Sequence, residues 1–235
     1  MDFKSIMISS VSRKIVMGLT GLFLISFLVI HAGLNACIFA NDGGNMFNKA
    51  AHFMGSNWVP RLLEIFLFLG FIVHIVQGYM LFLYNNSKRD IKYAVPYKVG
   101  SKWYSRSMAI LGTLIFLFLI THLVHFWIPS RFTGVDEIHI PIDSSIDQAA
   151  SISVHNLFGL MQDTFSNFFI VIIYVLGCIA LCYHLIHGFL SVFKTLGVYH
   201  KGFLKLLHCI GIVFSVIICT LFALMPICIY FGFVY

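Results

Sequence analysis

Six of the eleven histidines in this chain lie inside long apolar runs: His31, His74, His122, His125, His184 and His187. A neutral imidazole offers one nitrogen lone pair to a metal and one N–H to a hydrogen-bond acceptor. Placing such a group at membrane depth is costly, so it marks a functional site by default. A single intramembrane histidine is more commonly a helix-to-helix hydrogen bond than a ligand. Here the distribution points further: four of the five apolar runs carry at least one, and the fifth has only His208 at its entrance.

The elements that must position these rings follow from composition. Of 235 residues, 60% are hydrophobic and 10% charged, against roughly a quarter charged in a soluble domain. Too little polar surface remains to cover a water-soluble globule. Five runs reach the roughly 20 residues needed to cross a bilayer: Ile15–Ala40, Val59–Tyr84, Met108–Pro129, Phe165–Phe193 and Leu206–Tyr230. The expected fold is an all-α integral membrane protein, a single domain over 1–235. The polar stretch 131–164 is expected to be an extracytoplasmic loop with a short helix near Ala149–Gln162.

Charge gives the direction. Twelve of the fifteen basic residues fall in three segments: the N-terminus (Lys4, Arg13, Lys14), the 85–107 loop (Lys88, Arg89, Lys92, Lys98, Lys102, Arg106) and the 194–205 loop (Lys194, Lys201, Lys205). The opposite faces hold Lys49, Arg61 and Arg131 with seven of the nine acids: Asp42, Glu64, Asp136, Glu137, Asp143, Asp147 and Asp163. Basic loops stay in the cytoplasm, so the N-terminus is expected inside and the C-terminus outside. The net charge of +6 is then topological, and no nucleic-acid partner is needed to explain it. Leu34-Asn35-Ala36-Cys37 faintly resembles a lipoprotein cleavage site, but the apolar run before it exceeds the usual 7–15 residues of a signal core. The first span is therefore expected to stay in place. The six cysteines lie in apolar stretches and form no CxxC pair; they read as small apolar filler rather than as disulfides or a zinc site.

Depth sorts the histidines into pairs. His31 lies ten residues before Asn41 at the outer end of the first span, and His122 nine before Arg131 at the outer end of the third. His74 lies eleven before Asn85 at the inner end of the second span, and His184 ten before Lys194 at the inner end of the fourth. At about 1.5 Å of rise per residue, the two levels are roughly 10–15 Å apart. Two histidines from two helices at each of two levels is the arrangement that two bis-histidine haems require. Gly70 and Gly78 flank His74 at i±4, and Ala180 and Gly188 flank His184. Positions i±4 share a helical face, so each ring stands between small residues that would relieve a porphyrin edge. Close helix packing through small residues would explain the glycines but not the imidazoles between them. The outer pair lacks this relief, being flanked by Phe27, Asn35, Phe118 and Phe126. His125 and His187 lie one turn nearer the membrane edge than His122 and His184, and spacing alone leaves either member of each doublet as the ligand.

A series of short motifs adds a resemblance. Ser12-Arg13-Lys14 leads into Gly18-Leu19-Thr20-Gly21-Leu22-Phe23; then come His31 with Asn35, and Ala50-Ala51-His52-Phe53-Met54. Leu63-Glu64-Ile65-Phe66 precedes His74 and Gly78, followed by Thr121-His122-Leu123 and by Tyr183-His184-Leu185-Ile186-His187-Gly188 ending in Thr195-Leu196-Gly197. In this order the chain resembles, over almost its whole length, the cytochrome b membrane anchor of succinate:quinone oxidoreductases in its single-subunit, five-helix, two-haem form.

The resemblance implies that the first four helices bundle around two stacked b haems. It makes His31 and His122 the outer ligands and His74 and His184 the inner ones, preferring these over His125 and His187. It implies a multi-pass protein of the bacterial cytoplasmic membrane with two cytoplasmic partners, a flavoprotein and an iron–sulfur protein. The basic 85–107 loop is a plausible part of their dock. Succinate is oxidised, or fumarate reduced, in the flavoprotein, and the haems pass electrons to or from a membrane quinone, usually menaquinone near the outer haem. This chain has no flavin or iron–sulfur motif, so it would serve as a subunit of the enzyme. Some two-haem fumarate reductases carry a glutamate two residues before the inner ligand on the fourth span; here that residue is Cys182, which tilts the reading toward succinate dehydrogenase. Candidate quinone residues are His52, Asn57, Trp58, Arg61 and Glu64, of which His52 and Glu64 could exchange protons with a quinone. The bland alternative has His52 in water and Glu64 paired with Arg61 at i−3. Ser12, Arg13, Lys14 and His208 are candidates for the inner haem propionates. Rival readings are the anchor of another quinone-linked dehydrogenase or hydrogenase, and a haem-free transporter with histidine proton relays. The inverted repeats and broken helices of many transporters are not apparent.

Overall fold

The computed structural model describes residues 10–87, 107–141 and 151–235. Its long elements are α1 (Ser10–Asn35), extended by a 3₁₀ turn at Ala36–Ala40, α3 (Trp58–Ser87), α4 (Met108–His122), α6 (Phe168–Thr195) and α7 (Lys201–Tyr230). Short elements lie between them: α2 (Asn45–Ser56), the strands β1 (Glu137–Pro141) and β2 (Ser151–His155), and α5 (Leu157–Phe165). Five helices, with α4 counted through its continuation to Thr133, are long and apolar enough to cross a membrane. The protein is thus an all-α multi-pass membrane protein. Its helices keep an apolar coat: Ile65, Leu69, Ile72 and Val76 recur at helical spacing along α3 and are 49–66% exposed. In water that stripe would be unfavourable; against lipid tails it is the matching surface.

Helix ends differ from the sequence expectation where local chemistry intervenes. The fourth span begins at Phe168 rather than Phe165, because α5 closes at Phe165 and Asn167 Oδ1 accepts from Phe169 N at 2.9 Å to start a new helix. The fifth span begins at Lys201 rather than Leu206, with His200 Nδ1 accepting from Phe203 N at 3.3 Å as a cap. The third keeps its apolar length but not its pitch. After His122 the helix widens into two π-helical turns, Leu123–Trp127 and Pro129–Thr133.

The loop expectation needs the largest correction. In place of one short helix near Ala149–Gln162, the segment contains a two-stranded antiparallel hairpin and then α5 at Leu157–Phe165. Ile138 pairs with Val154 and Ile140 with Ile152, while Glu137, His139, Ser151, Ser153 and His155 face outward. That is the period-two alternation of a half-buried strand. Residues 142–150, including Asp143, Asp147 and the start of the expected helix, lie outside the described residues, as do Lys4 and the six basic residues of the 85–107 loop.

The chain packs as two units, and each long helix contributes a part to both. One unit takes the described parts of Met1–Leu28, Ile65–Ile115 and Ile179–Cys219. Its helices meet through small residues: a Cβ on Gly211 would stand 2.7 Å from the Phe189 ring, and one on Gly70 2.9 Å from the Phe23 ring. The other unit takes Val29–Glu64, Phe116–Cys178 and Thr220–Tyr235. It holds α2, the hairpin and α5, and its core gathers Ile38, Phe47, Phe158, Phe165, Tyr174 and Met225. Gly44, at φ 76°, lets the chain turn into α2 against Phe158, whose ring would collide with any side chain there. The fully buried Asn48 ties this unit together, accepting from Phe158 N at 2.9 Å and donating to Asn156 Oδ1 at 3.3 Å.

Candidate functional site

In the first unit, α3 and α6 bring His74 and His184 face to edge, with ring centres 6.2 Å apart and planes at 67°. The glycines expected to open space beside His74 are partly used by α1. Phe23 fills the notch at Gly70, and Met17 Cε lies 3.4 Å from the Cβ position of Gly78, whereas nothing lies within 4 Å of that position on Gly188. The residues that do meet His74 are Thr20 and Gly21. Thr20 Oγ1 lies 3.2 Å from His74 Nδ1, and a Cβ on Gly21 would lie 3.4 Å from its Cε1. Both were quoted above within a motif, with no role attached.

In the second unit, α1 and α4 bring His31 and His122 to a ring separation of 5.8 Å with planes at 90°. The space is bounded by aromatic rings, as the flanking residues implied: Phe118 and Phe126 lean on His122 at 6.0 and 5.4 Å, and Phe222 on His31 at 5.6 Å. Asn35 Nδ2 donates to the His31 carbonyl at 2.8 Å and lies 3.3 Å from its Nδ1. His125 is engaged elsewhere. Its Nδ1 lies 3.1 Å from the hydroxyl of Tyr174, and the two rings are stacked. His187 sits one turn from His184 on α6, and the ring that faces His74 is that of His184.

Two imidazoles that share one first-row metal ion, through bonds of about 2 Å each, have ring centres roughly 6 Å apart. Both pairs match this spacing. Among the described residues no group of three or more His, Cys, Asp or Glu gathers around a point, so a bare ion would find an incomplete cage. A haem brings four nitrogens of its own and needs axial ligands only. Each pair also contains one imidazole, His122 or His184, whose buried Nδ1 has no partner among the described residues. Buried orphans of this kind are rare unless a group from outside the chain completes them. The donor set fits bis-histidine haem at both positions.

Beside His31 lies a cavity of about 450 Å³, lined among others by Asn35, His52, Arg61, Ser130 and Arg131. Glu64 fastens the two arginines. It accepts from Arg131 Nε and Nη2, both at 3.3 Å, stands 3.8 Å from Arg61 Nη1, and takes a short hydrogen bond from Trp127 Nε1. The sequence offered Arg61 as its partner; Arg131 holds it more closely, and the π-helical turns aim both Trp127 and Arg131 at it. Of the quinone candidates, His52 and Arg61 line this cavity and Glu64 stands behind it. Asn57 is not in the lining; it closes α2 through its N–H to Phe53 O at 3.2 Å. Trp58, 73% exposed, is also outside it.

The propionate candidates are spread through the first unit. Arg13 lays its guanidinium over Tyr84, 5.8 Å from the ring centre, while Lys14 is exposed and Ser12 half-buried. His208 has a buried Nδ1 without a partner among the described residues.

The chain is 28% identical over 180 residues to the succinate dehydrogenase cytochrome b558 subunit of Bacillus subtilis (strain 168), an alignment covering 76% of this chain and 73% of that protein. No model of a protein family matches the chain, and no solved structure matches it. The likeness carried by the short motifs therefore extends to three quarters of the sequence.

Proposed function

We propose that this chain is the dihaem cytochrome b membrane anchor of a succinate dehydrogenase, carrying electrons between an iron–sulfur partner and a membrane quinone. The observation that supports it most directly is the doubled motif: two imidazole pairs, each contributed by two helices and each spaced for one shared metal ion. The similarity to a succinate dehydrogenase cytochrome b subunit supplies the class of enzyme.

When bound, the haems supply reversible one-electron chemistry, with potentials set by their axial ligands and surroundings. The chain's own residues do the rest. His74 and His184 hold the haem on the cytoplasmic side, next to the flavoprotein and iron–sulfur subunits; His31 and His122 hold the one on the opposite side. Basic termini and loops keep that orientation. The cavity beside His31 accepts the quinone, most naturally menaquinone, with His52 and the Arg61–Glu64–Arg131 group offering proton-carrying and hydrogen-bonding atoms to its headgroup. Apolar helix faces seat the protein in the bacterial cytoplasmic membrane.

The test is the reduced-minus-oxidised absorption spectrum of the purified chain, together with a haem assay. Two b haems per chain are expected, one disappearing on replacement of either His31 or His122 and the other on replacement of either His74 or His184. A protein purified from a haem-replete host without haem bands would refute the proposal.

A further inference from the structure

Thr20 and His74 form a contact whose direction can be worked out. The Thr20 hydroxyl has one proton, and its oxygen lies 2.8 Å from the carbonyl of Val16 and 3.2 Å from that of Met17, both acceptors only. A threonine bonded back to the preceding turn in this way has spent its proton. Toward His74 Nδ1, at 3.2 Å, the same oxygen can then only accept. The proton of the His74 ring must therefore sit on Nδ1, leaving Nε2 with its lone pair exposed. Gly21 completes the seat, since its missing side chain leaves the ring edge room at 3.4 Å.

We infer that Thr20 is a positioning residue that fixes the tautomer of His74 and so presets Nε2 as a metal-binding atom; this rests on the dihaem reading above. Its counterpart at the other pair is an amide. Asn35 donates to the His31 carbonyl with the same nitrogen that faces Nδ1, so it does not impose the Nδ1–H form. The two sites thus differ in the atom behind the ligand: an obligate acceptor at His74, an amide donor at His31. A metal-bound imidazole that donates from its remote nitrogen is more basic and better oriented. It therefore favours the oxidised iron, and hydrogen bonding of this kind is one of the levers on haem potential.

The experiment compares wild type, Thr20→Val and Thr20→Ser in the full chain. Valine keeps the shape and removes the acceptor; serine keeps the acceptor and removes the methyl. In haem-free protein, ¹⁵N NMR of labelled histidine should show His74 as the Nδ1–H form in wild type and T20S, and as a mixture in T20V. In haem-loaded protein, T20V should bind the His74–His184 haem about 10–100-fold more weakly, and its midpoint potential should shift upward with the other haem unchanged. T20S should restore both. Equal shifts in T20V and T20S would assign the effect to packing and overturn the inference, as would a T20V protein whose tautomer and potential match wild type. Wild type that binds no haem would instead sink the dihaem reading, while the NMR comparison would still decide the tautomer claim.

Discussion

The hydroxyl of Tyr174 and Nδ1 of His125 lie 3.1 Å apart, with their rings within 11° of parallel. Tyr174 is itself a core residue, packed edge-on against Phe118 and Phe165. The pair therefore ties the first π-helical turn after His122 to α6, and a ring held this way is a prop rather than a ligand. Replacing His125 with leucine should leave both haems in place at a cost near the roughly 1 kcal/mol of one net hydrogen bond. Replacing His122 with leucine should remove one haem. Haem-to-protein ratios of the two variants decide this; loss of a haem in His125→Leu alone would reverse the assignment.

Gly177 on α6 is the floor under Phe118. A Cβ there would stand 2.5 Å from that ring, and Phe118 in turn leans on His122. Gly177→Val should push Phe118 toward the imidazole, with an overpacking cost of about 1–3 kcal/mol. A difference spectrum should show weakened or broadened bands from the His31–His122 haem only. Unchanged bands from both haems would mean that the ring has room to move.

Glu64 is the shared counter-charge of Arg61 and Arg131. Glu64→Gln keeps the shape and the indole hydrogen bond but removes the charge. If this group moves protons for the quinone, turnover with a menaquinone analogue should fall by about 10²-fold. Haem content should not change, because neither ligand pair touches Glu64. Turnover within about twofold of wild type would remove the carboxylate from the proton path and leave it as a structural clasp.

Asn48 carries no visible chemistry, yet it is the buried polar centre of the second unit. Asn48→Ala would strand the Phe158 amide and the Asn156 side chain that it now partners. An unsatisfied buried group costs about 1–3 kcal/mol, so thermal unfolding in detergent should begin several degrees lower. Asn48→Asp should fall between the two, since it keeps the acceptor for Phe158 N but loses the donor to Asn156. A midpoint for the alanine variant equal to wild type would show that water replaces the amide.

Much of this molecule is legible in one dimension. A run of twenty apolar residues has few folded fates, and rise per residue converts sequence position into depth, which is why His31 could be matched with His122 and His74 with His184. What resists is whatever depends on which helix lies beside which. Thr20 looks like any helix threonine until α1 is set against α3, and the nearer partner of Glu64 lies 67 residues away rather than one turn back. The hairpin was overlooked for another reason. Its alternation, Glu-Ile-His-Ile and Ser-Ile-Ser-Val-His, was visible, but each strand is only five residues and lies in a segment too polar to attract attention.

The π-helical turns after His122 have a genetic corollary. Such a turn is in effect an α-helix with one residue to spare, and these turns recur at functional sites. Deleting a single residue between Leu123 and Trp127 would let the helix relax to ordinary pitch and rotate all that follows by about 100°. His122 would not move, but Trp127 and Arg131 would swing away from Glu64. The lineage of this protein could thus have gained or lost its carboxylate clasp by the insertion or loss of one codon, without disturbing the imidazoles beneath.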